Sequence, residues 1–137
     1  MASKDTQSRK YQLTINNPAD KGLDHDAIKK ALEQLTACSY YCKADEIGTE
    51  TQTPHTHVFV YLRNSTRFSR IKNLFPEAHI EAAHGTVQEN REYVSKSGKW
   101  AKDKKADTSV PDTFEEWGEI PEEPGQGARS DIAELYS

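Results

Sequence analysis

The sequence predicts an α+β fold, with a central antiparallel sheet of about five strands flanked by helices. Three observations carry that prediction. Alternating segments rich in aromatic and β-branched residues are separated by segments with the 3.6-residue period of an amphipathic helix. A short strand-like run, His79-Ile80-Glu81, falls between two of the helical stretches, as in sheets that segregate their helices to the faces. The 137 residues, 34% of them hydrophobic, suffice for one small domain plus a polar remainder.

Each element has a local cause. Tyr11-Gln12-Leu13-Thr14-Ile15 alternates as a strand, and Asn16-Asn17-Pro18 ends it in a turn. Asp24 is an N-cap for a helix whose apolar face is Ala27, Ile28, Ala31, Leu32 and Leu35. Ser39 to Ile47 is aromatic-rich and reads as a strand, and Val58-Phe59-Val60-Tyr61-Leu62 is the clearest strand in the chain. Phe68, Ile71, Leu74 and Phe75 form a helical stripe stopped by Pro76. Thr86-Val87-Gln88-Glu89 is a capping box opening a helix expected to run to about Ser97, with Gly98 as its stop. Beyond Ala106 periodicity is lost among acids, prolines and glycines, which reads as a linker expected to be largely mobile, with Trp117 able to dock on the body. Asp131 to Tyr136 regains some apolar character, like the start of a longer region.

Composition narrows the class. A mean hydropathy of −0.89 and the lack of a long apolar run argue against a transmembrane helix. No apolar stretch follows the first residues, so a secretory leader is not expected. Cys38 and Cys42 are too few for a disulfide framework, which favours a reducing compartment. The net charge of −4 hides an asymmetry: residues 1–105 carry +4 and residues 106–137 carry −8. The body is mildly basic, so an anionic partner remains open.

Three features carry chemistry. Pro54-His55-Thr56-His57 leads into the best strand, and strand geometry projects His55 and His57 to one side, a pair of metal ligands needing a carboxylate. Glu46 and Glu50 both lie within reach, and spacing alone does not choose between them or name the metal; two surface histidines beside a turn fit the same pattern. Tyr93 and Lys96 share a helical face, while Val87 and Val94 can pack inward. A phenol is a weak nucleophile at its ordinary pKa of ~10, which a nearby ammonium and a divalent cation would improve. An exposed tyrosine beside a lysine is equally compatible with a solvated surface. Finally, Arg63, Arg67, Arg70 and Lys72 form a stretch without acids, and Arg91, Lys96, Lys99, Lys102, Lys104 and Lys105 follow. With Tyr40, Tyr41, Phe59, Tyr61 and Trp100 they fit single-stranded nucleic acid, held by phosphate contacts and base stacking, or else a solvated face over core aromatics.

In combination and order these motifs resemble the N-terminal HUH endonuclease domain of the replication initiator (Rep) of circular single-stranded DNA viruses, circovirus-like. Leu13-Thr14-Ile15-Asn16-Asn17-Pro18 is similar to that family's first motif, Pro54-His55-Thr56-His57-Val58 to its second, and Tyr93-Val94-Ser95-Lys96 to its third. His79-Ile80-Glu81, Gly85-Thr86, Gln88 and Asn90 resemble the approach to the third. Two positions depart: Leu13 stands where an aromatic is usual, and Thr56 where an apolar residue is usual between the histidines.

The resemblance implies a ferredoxin/RRM-like sheet and a rolling-circle initiator that nicks and joins origin DNA. In that reading Glu46, His55 and His57 hold Mn²⁺ or Mg²⁺, and Tyr93 is the nucleophile forming a 5′-phosphotyrosine link. Lys96 assists it. Asn16, Asn17, Arg63, Arg67, Arg70, Lys72, Gln88, Asn90 and Lys99 are the expected DNA contacts. Single-stranded origin DNA, displayed at a hairpin, is the implied partner, with self-association confined to the full-length protein and the host nucleus as its compartment. The implied boundaries are an arm over 1–9, the nuclease over 10–105, a linker over 106–128 and the start of an oligomerisation or helicase region over 129–137. No glycine-rich phosphate loop supports an ATPase within this stretch. Two other readings stay open: a non-catalytic single-strand-binding module stacking bases on sheet aromatics, and a non-haem iron oxygenase built on two histidines and a carboxylate.

Overall fold

The computed structural model describes residues 6–48, 52–100, 108–110 and 112–121, apart from the side chain of Lys99. Five strands, β1 (Gln7–Asn16), β2 (Cys38–Ile47), β3 (Pro54–Arg67), β4 (His79–Ala82) and β5 (Glu115–Gly118), form one sheet in the order β4-β1-β3-β2-β5. Every neighbouring pair is antiparallel. Among the described residues three α-helices accompany it, α1 (His25–Leu32), α2 (Phe68–Leu74) and α3 (Val87–Ser95), with short 3-10 turns at Pro18–Lys21 and Gly98–Trp100. This is the α+β architecture that the sequence predicts.

Alternation along the strands sorts side chains into two cores. Tyr11, Leu13 and Ile15 of β1 and Val58, Val60 and Leu62 of β3 face α1 and α2, which contribute Ile28, Leu32 and Ile71. On the opposite face Tyr40, Cys42, Ala44, Phe59 and Tyr61 meet Val87 and Val94 of α3. The centre of β3 is covered on both sides, which is why it reads as an unbroken apolar run; each such side chain stabilises the fold by roughly 1.5–3 kcal/mol. An irregularity between Cys38 and Tyr40 switches the facing of β2, so Cys38 packs in the first core and Cys42 in the second. Both thiols are free, and burial pushes Cys38 up to about 11 and Cys42 up to about 12, leaving them protonated and inert at neutral pH.

Helix starts follow their local signals. Asp24 accepts the amide of Ala27, and both reciprocal bonds of the Thr86–Glu89 capping box are present. Four boundaries differ from the sequence reading. β1 starts at Gln7, where Gln7 and Ser8 pair with Arg67 and Thr66, so part of the expected arm belongs to the sheet. β3 extends on both sides of its apolar centre because backbone pairing with β1 and β2, and not hydrophobic alternation, holds its polar ends. α3 stops at Ser95, and the left-handed position that glycine normally takes is occupied by Lys96 (φ 56°).

The largest correction lies in the acidic stretch read as a linker. Glu115–Gly118 forms β5 on the free edge of β2. Glu115 pairs with the Lys43 ammonium and Glu116 with Arg91, so two of the acids that suggested a solvated tail are ion-pair partners of the body. Trp117 stacks on Tyr41 with ring centroids 5.7 Å apart. At Gly118 (φ +93°) a Cβ would sit 2.1 Å from the Ser39 carbonyl oxygen, so only glycine lets the chain leave β2 at that point.

Candidate active site

The register of the sheet assembles the site on the α3 face. Glu46 of β2 lies directly across from His55 of β3, and His57 is flanked by Ala44 on β2 and Thr14 on β1. Directly opposed residues have Cβ atoms only ~4.5–5.5 Å apart, so the pairing delivers a carboxylate to both imidazoles. Each histidine Nε2 lies 3.5 Å from Glu46 Oε1. The Nδ1 atoms are engaged elsewhere, His55 with the Thr53 carbonyl at 3.2 Å and His57 with the Thr14 hydroxyl at 3.4 Å. A carbonyl can only accept, so His55 carries its proton on Nδ1 when neutral, leaving the Nε2 lone pair toward Glu46.

This donor set fits a divalent cation. One ligand atom from each of Glu46, His55 and His57 falls within 4.8 Å of the others. Ligand bonds of about 2.0–2.2 Å put neighbouring donors about 3–3.5 Å apart around a shared ion. Two imidazole nitrogens and a carboxylate oxygen converging in this way suit a shared positive charge, either a proton on His55 or a divalent cation. Glu46 is only 5% exposed, and its Oε2 pairs with the Lys96 ammonium at 2.7 Å. Burial alone would raise the Glu46 pKa, but the contacts from His55, His57 and Lys96 outweigh it and hold the carboxyl far below the usual range. The bond to Glu46 in turn raises His55, against the opposing effect of burial.

Thr56, between the two histidines, faces the other way, is buried, and donates to Asp45 Oδ1 at 2.7 Å. A polar residue there is satisfied without touching the site.

Tyr93 stands beside the triad. Its ring meets His57 edge-on at 5.8 Å between centroids and Trp100 at 5.0 Å. The Lys96 ammonium lies 3.9 Å from the Tyr93 ring centroid and donates to the Tyr93 carbonyl at 2.8 Å. Lys96 therefore does not share an exposed helix face with Tyr93. It is buried at 7% exposure past the helix end, bridging the tyrosine and Glu46. These contacts offset the left-handed backbone of a non-glycine residue, which costs of order 1–3 kcal/mol. Burial, then the charges of Glu46 and Glu81, raise the Tyr93 pKa, so the phenol is protonated at neutral pH. Tyr93 borders two open clefts, one of about 330 Å³ with His84, Gly85 and Trp100, the other of about 260 Å³ with Thr14, His57, His79 and Glu81.

The remaining expected residues divide by position. Asn16 and Asn17 are exposed at the end of β1 beside His55, with Asn17 in the left-handed region. Gln88 is exposed on α3 and bonds Glu92. Asn90 borders both clefts, yet its amide is committed inside, accepting from Gln12 and donating to the His84 and Thr86 carbonyls. Arg63, Arg67, Arg70 and Lys72 sit at the opposite end of β3 and on α2. At ~3.3 Å per residue, Arg67 is on the order of 30 Å from His57, so the register separates this basic group from the triad. Arg63, Arg70 and Lys72 bond the carbonyls of Thr36, Gln34 and Ala78, helping close the α1 and α2 connections. Glu50 and the side chain of Lys99 lie outside the described residues. Sequence reading missed Thr14 and Thr108 as neighbours of the triad. Pairing register alone reveals Thr14, and Thr108 lies in the stretch read as linker.

Comparison with known proteins gives a consistent picture. Residues 8–97 match the viral replication protein family. The chain is 34% identical over 126 residues to the replication-associated protein of Canary circovirus, covering 92% of this chain and 36% of that protein. It is 34% identical over 92 residues to that of Porcine circovirus 2, and 32% identical over 95 residues to that of Pigeon circovirus, covering 66% and 69% of this chain and 28% of each relative. The chain thus spans about a third of the length of the curated relatives it matches.

Proposed function

Because the chain belongs to the viral replication protein family, we propose that it nicks and joins single-stranded origin DNA with Tyr93 as nucleophile and a divalent cation held by Glu46, His55 and His57. The observation that carries this reading is the triad itself, with a half-buried phenol against one of its histidines. When bound, the cation would act as a Lewis acid on the scissile phosphate. The phenolic oxygen of Tyr93 forms a bond to phosphorus while the bond from phosphorus to the 3′ oxygen breaks. The phenol loses its proton, and the departing oxygen gains one and leaves as a 3′-hydroxyl. Attack by a 3′-hydroxyl on the phosphotyrosine reverses these bonds and joins the strand.

Each neighbour has a part in this scheme. Trp100, His57 and Lys96 surround the Tyr93 ring and limit its orientations. Ordering a nucleophile before reaction removes an entropic part of the barrier. The Lys96 ammonium stabilises negative charge on both the carboxylate and the developing phenolate. Asn16 and Asn17, exposed at the strand end beside His55, would contact the DNA entering the site. Replication of a viral genome in the host nucleus would be the setting.

The direct test is incubation of labelled single-stranded origin DNA with the protein and Mn²⁺, followed by a denaturing gel. A band shifted by the mass of the protein is expected with Mn²⁺ and not in chelator. Binding without any adduct would favour the non-catalytic single-strand module instead.

A further inference from the structure

We infer that Thr108, from the stretch after the nucleophile helix, is a positioning residue that fixes the orientation of the Glu46 carboxylate; this rests on the metal reading proposed above. The Thr108 hydroxyl donates to Glu46 Oε1 at 2.9 Å, the same oxygen that faces both histidines. Glu46 Oε2 is held from the other side by the Lys96 ammonium at 2.7 Å. Rotation about the last torsion of a glutamate is soft and roughly two-fold, so a carboxylate anchored at one oxygen still swings. Anchored at both, it keeps one oxygen aimed at His55 and His57.

The backbone makes the anchor stiff. Ser109 bridges to Glu46, the Val110 amide donates to the Asp45 carbonyl at 3.0 Å, and the Asp45 amide donates to the Thr113 hydroxyl at 3.0 Å. A few residues on, β5 is clasped to β2 and Glu116 forms a two-point pair with Arg91 of α3 at 2.8 and 2.9 Å. One strap therefore touches both the strand that carries the metal carboxylate and the helix that carries Tyr93. No motif in the sequence marks Thr108; its role follows from that double contact.

Groups that hold a metal ligand from behind typically contribute about 10–100-fold in metal affinity or activity. Thr108→Val removes the hydroxyl and keeps the shape, while Thr108→Ser keeps the hydroxyl. The test is Mn²⁺ affinity, measured by calorimetry and by the Mn²⁺ electron paramagnetic resonance signal, on the full chain and on both variants without DNA. Thr108→Val is expected to bind Mn²⁺ about 10-fold or more weakly, and Thr108→Ser within about 3-fold of the parent. Equal affinity for Thr108→Val and the parent would overturn the role of Thr108 while leaving the metal site standing. Equal weakening in both variants would also overturn it, since the hydroxyl would then not be the group that matters. Failure of the parent chain itself to bind Mn²⁺ would overturn the metal reading, and this inference with it.

Discussion

At the scale of single residues, the phenolic oxygen of Tyr93 separates an enzyme from a binding module. Tyr93→Phe removes one atom from a half-buried ring whose contacts with His57, Trp100 and Lys96 run through its face and edges. Packing should persist, and single-strand affinity, which rests on phosphate contacts and stacking, should stay within a few-fold. Cleavage and the covalent adduct should both disappear, as read on a denaturing gel; residual adduct would assign the bond to another residue. A second expectation concerns His55. Its pKa is raised by the bond to Glu46, so the protonated ring stabilises the metal-free protein below its ordinary pKa of ~6.5, and that contribution is lost as pH rises through the raised value. The proton competes with the metal for the same Nε2. Mn²⁺ affinity should therefore climb across the interval above pH ~6.5 while the melting temperature of the metal-free protein falls. A flat affinity profile there would remove His55 from the ligand set.

Among elements, α3 shows which signals are local and which are not. The capping box at Thr86 and Glu89 was legible from four consecutive residues because its two bonds close within one turn. Thr86→Ala should cost about 0.5–2 kcal/mol and lower the melting temperature without changing the metal site, since both capping bonds sit at the far end of the helix from Lys96. A variant melting with the parent would mean that the core contacts of Val87 and Val94 alone set the helix start. The C-terminal end was not legible in the same way. Gly98 offered the conventional stop, but Lys96 takes the left-handed position because Glu46, fifty residues earlier, draws in its ammonium. The ligand triad falls between these cases. Strand alternation gave His55 and His57 as a pair, but Glu46 joins them as the candidate third ligand only through the pairing of β2 and β3 in one register. The family resemblance selected Glu46 over Glu50 because it carries that register implicitly.

For the molecule as a whole, charge was the misleading signal. In sequence the acidic C-terminal stretch and the basic body read as separable, and the basic run at Arg63 to Lys72 reads as a set of expected DNA contacts. In the fold the run lies at the far end of β3 from His55 and His57, and Glu115 and Glu116 lie against Lys43, His25 and Arg91. Neither is visible to a local window: the first needs Pro54–Arg67 to be one continuous strand, and the second depends on which strand lies beside β2. The consequence is testable by truncation. Ending the chain after Asp112 removes β5, with its backbone pairing to Tyr40–Lys43, the stack of Trp117 on Tyr41 and the Arg91–Glu116 pair. The stack contributes roughly 0.5–1.5 kcal/mol, and the partly exposed ion pair roughly 0.2–1 kcal/mol. With the lost backbone bonds the truncation should cost on the order of 2–3 kcal/mol, and the edge of β2 is uncovered. For a domain of this size that is a melting temperature lower by roughly 10 °C. Because α3 also loses its brace at Arg91, DNA cleavage should fall at temperatures where the truncated chain is still folded by circular dichroism. A truncated chain that melts and cleaves like the parent would return residues 113–121 to the status of a dispensable linker.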